Sequence, residues 1–204
     1  MVVIHGALRS RLGMLPAVLY LRRCGLDARP FGYRTRSESL ETHGERLEGF
    51  LQDWLGSYQG PLGFLTHSMG GLVARAYLAR PGACKRWTEV RLAMLAPPNR
   101  GSVLADRQRG WTRAIYGTAL TELCPGRVAR LPGLEANATA MVFAGGRGES
   151  RGYHRGIPGD NDGLVGVAET ELEGAEAVFV GGLHSFLPWR PRVLALAAEF
   201  LGRS

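Results

Sequence analysis

Lysine is all but absent from this 204-residue chain: Lys85 is the only one, and arginine supplies the rest of the 25 basic side chains. Against 18 Asp and Glu these give a formal charge of +7. The arginines are scattered, and no Arg-rich block with interleaved aromatics occurs. The charge therefore reads as surface composition and not as a nucleic-acid footprint, with mild attraction to anionic interfaces or substrates left open. No apolar run is long enough to span a bilayer. Cysteine is scarce too: Cys24, Cys84 and Cys124 are odd in number and widely spaced. They offer neither metal-ligand spacing nor a disulfide framework, and they read as buried free thiols. Internal repeats and low-complexity segments are missing. The opening Met-Val-Val-Ile-His-Gly lacks the basic flank, apolar stretch and small-residue cleavage site of a signal peptide. The expectation is a cytoplasmic protein, or a mature chain whose leader was removed.

What is present is a globular composition, 45% hydrophobic and 21% charged, in a length that suits one domain with a substantial core. Apolar runs at Val2–Ile4, 28–33, 62–65, Val90–Leu95, 140–145 and 175–180 read as strands. Between them lie stripes at helical spacing: Leu12, Leu15, Val18 and Leu19; Leu47, Phe50, Leu51, Trp54 and Leu55; Leu72, Val73, Ala76 and Tyr77. Ser37 or Ser39 is the expected cap of the second of these helices, and Gly56 its end. A last helix opens at Pro188 or Pro191 and turns Val193, Leu196, Ala197, Phe200 and Leu201 inward. Strands alternating with helices of this length imply right-handed βαβ units and a parallel sheet. From 103 to 135 the strand pattern disappears, and Trp111, Ile115, Ala119 and Leu123 are spaced to line one face of a short helix.

The stretch on which function turns is Pro-Leu-Gly-Phe-Leu-Thr-His-Ser-Met-Gly-Gly-Leu-Val-Ala-Arg, residues 61–75. A buried strand meets a helix at Ser68. A serine on such a turn is held in a strained backbone and lifts its hydroxyl above the sheet edge, at a helix N-terminus. Positions two before and two after it must be small, because strand and helix backbones nearly touch there. Gly70 meets that demand, and Thr66 meets it marginally.

This run resembles the nucleophile elbow of the α/β-hydrolase superfamily, in particular that of small bacterial lipases and esterases. Thr66 departs from the usual glycine. Three further segments match in the family's order. His5-Gly6-Ala7 after the first strand is similar to the loop that opens the oxyanion hole, which implies the backbone N–H of Ala7, together with that of Met69, as oxyanion donors. Gly159-Asp160-Asn161-Asp162-Gly163-Leu164-Val165 resembles the segment that carries the acid, by which Asp162 is the acid and Asp160 the fallback. His184, just beyond the last strand and the only histidine after Asp162, sits where the family places its base. Ala96 to Ser102 is similar to a further lipase segment of structural role.

The resemblance implies a minimal α/β-hydrolase fold over 1–204, a mostly parallel central sheet of about six strands with helices on both faces and a short cap near 103–135. It implies a carboxylester hydrolase that works through a Ser68 acyl-enzyme, with Asp162 and His184 completing a triad and with no cofactor. The implied partner is a small-molecule or lipid ester, with transient contact at a lipid interface. A thioesterase, amidase or polyester hydrolase on the same scaffold is the alternative, as is a non-catalytic member that binds an apolar ligand. The Asp-x-Asp pattern at 160–162 hints at calcium, but the other ligands of an EF-hand loop are missing, so no metal is expected. His67 and His5 receive no catalytic role in this reading.

Overall fold

Apolar residues that alternate between two packed faces account for the sheet. The computed structural model describes residues 1–107 and 115–202. Its strands are β1 (Val2–Ile4), β2 (Arg29–Phe31), β3 (Leu62–His67), β4 (Val90–Leu95), β5 (Ala138–Ala144) and β6 (Glu176–Phe179). They pair in the order β2-β1-β3-β4-β5-β6, every pair parallel. Val2, Ile4, Phe64, Leu92 and Val142 face one apolar cluster, and Val3, Leu65, Ala93, Met141 and Phe143 face the other. A sheet buried on both faces needs apolar residues at odd and even positions alike, which is why the strands read as continuous runs.

Helices α1 (Leu15–Arg23) and α7 (Pro191–Gly202) cover the second face, and α2 (Leu40–Leu55) and α3 (Met69–Leu78) cover the first. The cap of α2 is Ser39, whose Oγ accepts the Thr42 amide at 3.3 Å, and the helix ends at Gly56. Pro191 opens α7, while Pro188 lies in a 3₁₀ turn over His184–Trp189. The first helix departs from the sequence reading. Its buried residues are Ala17, Val18 and Leu21, with Met14 just before it, while Leu12, Leu15 and Leu19 are exposed. Leu12 belongs to a separate 3₁₀ turn, Arg11–Met14. The tighter turn takes Leu12 out of the helical count, and of the expected stripe Val18 alone is buried.

Between β4 and β5 run the short helices α4 (Val103–Asp106), α5 (Thr118–Glu122) and α6 (Pro125–Val128). Trp111 lies outside the described residues. Ile115, Ala119 and Leu123 do not share one helix, because Gly117 interrupts it with φ +60°. A Cβ on Gly117 would sit 2.1 Å from the Arg36 carbonyl oxygen, so the chain turns where only glycine fits. No disulfide joins the three cysteines, and only Cys84 is buried; Cys24, expected inside, is exposed. No helix among the described residues is long and apolar enough to cross a membrane.

Candidate active site

In a parallel sheet the carboxyl ends of all strands lie on one edge, and the loops leaving that edge converge. Among the described residues three other than glycine have positive φ: Leu8 (55°), Ser68 (54°) and Ala96 (44°). Ser68 and Ala96 directly follow β3 and β4, and Leu8 lies in the loop leaving β1. Backbone of this kind costs about 1–3 kcal/mol per residue and persists where the surroundings impose it, often at functional sites.

The surroundings of Ser68 are unusually tight. Ser68 is the N-cap of α3. A Cβ on Gly70 would lie 2.7 Å from both the Ile4 and His5 carbonyl oxygens, so the start of α3 rests on the backbone leaving β1. A Cβ on Gly6 would lie 2.9 Å from that of Ser68 and 3.1 Å from His67 Nδ1. Glycine at both places lets the β1 loop and the β3–α3 turn touch. Thr66, the marginal residue of the motif, is fully buried, and its hydroxyl has no hydrogen-bond partner. Met69 is the first residue of α3, and amides of a helix's first turn have no acceptor within the helix.

His184 begins the 3₁₀ turn that follows β6, and its Nδ1 lies 2.7 Å from Asp162 Oδ2. Both residues are buried. The other carboxylate oxygen of Asp162 accepts the amides of Leu164 (3.0 Å) and Val165 (2.8 Å). The His184 amide in turn donates to the Asp162 carbonyl at 3.0 Å. Because a carboxylate only accepts, Nδ1 carries the imidazole proton and Nε2 keeps its lone pair. Neither Nε2 nor the Ser68 hydroxyl makes a hydrogen bond among the described residues, and both residues line the same cavity. Asp160 sits elsewhere: its oxygens accept the amides of Arg147 (2.9 Å), Gly148 (2.8 Å) and Asn161 (2.8 Å). Slight desolvation pushes its carboxyl up, and those amides outweigh it and hold the group below its ordinary value. Asn161 is fully buried and fastens the acid loop, its amide donating to His154 O (3.1 Å) and Gly159 O (3.2 Å).

Two more histidines border the site. His67 packs its ring 4.7 Å from that of His184 and donates from Nε2 to the His184 carbonyl at 3.1 Å, with Nδ1 unpartnered. It lines the cavity along with Ser68. Complete burial, with the adjacent His184, pushes its pKa well down, so His67 is neutral. His5 stacks on Tyr33 at 4.4 Å, and its Nδ1 donates to the Gly6 carbonyl at 2.9 Å, fixing the loop that holds Ala7.

The cavity encloses about 1160 Å³ and is lined by Ser68, His184, Gly6 and Ala7, with Leu8, Leu104, Ile115, Leu120 and Leu164 supplying apolar surface. Arg107, Tyr116 and His154 also reach it. They carry no sequence signal, since each comes from a region without strand or motif pattern. The Ala96–Ser102 segment is a brace: Asn99 donates to Thr170 O at 2.9 Å and its Oδ1 accepts from buried Arg75 at 3.3 Å. Among the described residues no group of three or more His, Cys, Asp or Glu is placed to hold a metal ion.

No protein-family model matches the chain, and no curated protein matches it either. Solved structures do. The mature form of a Bacillus licheniformis lipase, BlEst2, superposes with a TM-score of 0.73 at 20% identity, over 91% of this chain and 84% of that one. In the propeptide form of that lipase the chain spans 50% of the length, with a TM-score of 0.82 at 19% identity. The metagenomic carboxyl esterase MGS0156 gives 0.71 at 16% identity, over 98% of this chain and 74% of that one. The RedJ thioesterase of Streptomyces coelicolor gives 0.64 at 14% identity, over 98% and 95%. The fold is that of the α/β-hydrolases.

Proposed function

We propose that this chain hydrolyses carboxylic esters through an acyl-enzyme on Ser68. The observation that carries the reading is the buried Asp162–His184 hydrogen bond of 2.7 Å, with His184 lining the same cavity as the strained Ser68. A serine hydroxyl is a weak nucleophile at neutral pH and needs a base whose free nitrogen faces it. His184 Nε2 takes the Ser68 proton as Oγ attacks the ester carbonyl. Asp162 holds the tautomer and stabilises the imidazolium. The amides of Met69 and Ala7 donate to the oxyanion, a contribution of about 3 kcal/mol per donor in such sites. His184 returns the proton to the departing alkoxide, then activates the water that releases the acid. Contact between Ser68 and His184 tightens when substrate fills the cavity, as is common when catalytic hydrogen bonds are open without ligand.

The apolar lining favours an acyl chain, with the described parts of the expected cap, residues 103–107 and 115–135, contributing Leu104, Ile115 and Leu120 to it. Exposed Leu8, Phe186 and Trp189 flank the cavity's Ser185 and Arg9 side, which suits transient contact with a lipid interface. Thioesters are the second class, on the likeness in fold to a thioesterase. The test is hydrolysis of p-nitrophenyl esters of rising acyl length by wild type and Ser68→Ala. Turnover by the wild type and its loss by at least 10⁴-fold in a folded mutant is the expected result. A folded wild type that turns over no ester, or a mutant that retains activity, overturns the proposal.

A further inference from the structure

A second cleft opens beside the first, at the carboxyl ends of β1 and β2. It encloses about 390 Å³ and is lined by His5, Arg9, Ser10, Arg11, Gly32, Tyr33, Arg34 and Arg46. Arg9 and Ser10 line both cavities, so the two are neighbours across that pair of residues. The charge here is one-sided. Arg46 pairs with Glu38 at 2.6 Å. Among the described residues Arg9, Arg11 and Arg34 have no carboxylate partner. Arg9 lies over the Trp189 ring, 5.6 Å from its centroid, which leaves its donors available. Tyr33 adds no compensating negative charge, since burial favours its neutral phenol, and burial likewise favours the neutral form of His5.

Guanidiniums without carboxylate partners around one cleft repel one another, and an anion relieves that repulsion. Each presents a fork of N–H donors. Several forks around one cleft suit the tetrahedral array of acceptor oxygens on a phosphate group better than the two coplanar oxygens of a carboxylate. The position agrees with where open parallel sheets bind ligands, outside the carboxyl ends of the strands.

We infer that the Arg9, Arg11, Arg34 and Arg46 cleft binds a phosphate group, placed to receive the phosphorylated alcohol part of an ester whose acyl chain lies in the Ser68 cavity. The substrate assignment rests on the hydrolase reading; the anion site does not. Phosphate chemistry has two sources, the substrate's own headgroup and free phosphate acting as a separate ligand.

Titration calorimetry of inorganic phosphate and of glycerol 3-phosphate into the folded Ser68→Ala chain tests the site without catalysis. The comparison is with the same chain carrying Arg11→Gln and Arg34→Gln, and with a charge-matched control carrying Arg130→Gln and Arg192→Gln. Saturable binding, weakened at least tenfold by the first pair and unmoved by the control, is expected. No saturable binding, or equal weakening by both pairs, overturns the inference. Circular dichroism establishes that each variant is folded.

Kinetics identify the source. The ratio of kcat/KM for a 1-acylglycerol 3-phosphate to that for the 1-acylglycerol of the same chain is measured in wild type and in the Arg11→Gln, Arg34→Gln chain. A fall of about tenfold in the ratio assigns the cleft to the substrate headgroup. Binding lost with the ratio unmoved assigns it to free phosphate. Binding that survives in a wild type inert on every ester keeps the anion site and removes the hydrolase reading.

Discussion

One substitution, glycine to alanine, should act with opposite signs at two helical positions. Gly49 lies inside α2 with nothing within 4 Å of a would-be Cβ. Alanine there restricts the unfolded chain and adds helix propensity, a gain of about 0.5–1 kcal/mol. Gly70 lies in the first turn of α3, where a Cβ meets two carbonyl oxygens at 2.7 Å and the Ile4 carbonyl carbon at 3.1 Å. Those atoms cannot retreat easily, because Ile4 is held in register between Phe31 of β2 and Thr66 of β3. The helix start must move by several tenths of an ångström, and overpacking of that kind costs about 1–3 kcal/mol. The same propensity gain as at Gly49 offsets part of this, so a net loss of roughly 1–2 kcal/mol is expected. For a chain of this size that lowers Tm by about 2–8 °C, while Gly49→Ala raises it by about 1–4 °C. Activity suffers more than stability. Displacement of the α3 start moves the Met69 amide and Ser68 Oγ together, and misplacement approaching 1 Å costs about 10²-fold. Thermal unfolding and p-nitrophenyl butyrate turnover, measured on both variants, decide the matter. A Gly70→Ala protein as stable as Gly49→Ala, with kcat within threefold of wild type, would refute the close-approach argument.

The two aspartates of the acid loop should separate cleanly. Asp162→Asn is expected to lower kcat by about 10⁴-fold through the wrong imidazole tautomer, whereas Asp160→Asn keeps most of kcat and lowers Tm by loosening the turn at Arg147 and Gly148. Stability should fall on mild acidification. Burial pushes the His43 pKa down to about 4, against a raising effect from Glu38, and burial also lowers those of His5 and His67. Groups whose folded pKa is depressed below about 6.5 take up protons more readily when unfolded. Their full stability is present above that pH and is lost as pH drops toward 4; His43 alone contributes roughly 1–2 kcal/mol of loss at pH 5. Urea denaturation at pH 7 and pH 5 checks this, and equal stabilities would contradict it. Arg75→Lys should cost about 1–3 kcal/mol by urea denaturation, since an ammonium cannot reach Asn99, Leu131 and Pro132 together as the guanidinium does. A loss under 0.5 kcal/mol would show that the brace is dispensable.

The sheet was legible because its signals are local. Val90–Leu95 is continuous in sequence as in space, and every strand read from an apolar run takes its place in the sheet within a few residues. The meeting of Asp162 with His184 at the cavity that Ser68 lines was expected only through the family resemblance, because spacing alone does not bring separate loops together. Phase and long-range packing stayed hidden. The 3₁₀ turn at Arg11–Met14 separated Leu12 from the first helix, and Gly117 broke the stripe running to Leu123. The Arg9–Arg46 cleft was invisible because its arginines come from three separate segments, which read along the chain as scattered charge.

Histidine environments give an independent argument for the proposed base. Five histidines exist, and a base at neutral pH needs one nitrogen fixed and the other free. His5 has Nδ1 donating to Gly6 O and Nε2 facing the Tyr33 amide at 3.4 Å. His154 Nδ1 accepts the Gly156 amide at 3.0 Å, with no carboxylate holding the ring. His43 lies 3.5 Å from Glu38, but it is sealed within the α2 packing, and its pKa of about 4 makes it a poor proton acceptor at neutral pH. His67 reaches the cavity, yet complete burial and the neighbouring His184 disfavour its charged form. His184 alone combines a carboxylate on Nδ1 with an unoccupied Nε2 in the cavity that holds Ser68. Placing a neutral imidazole against the working one also has a consequence for turnover. His67 holds the His184 backbone through Nε2 without contributing a competing charge, so in the proposed mechanism the imidazolium would be stabilised by Asp162 and opposed by no second cation on that ring. His67→Phe should therefore loosen His184 and lower kcat with KM little changed, and a fall in KM affinity alone would remove that positioning role.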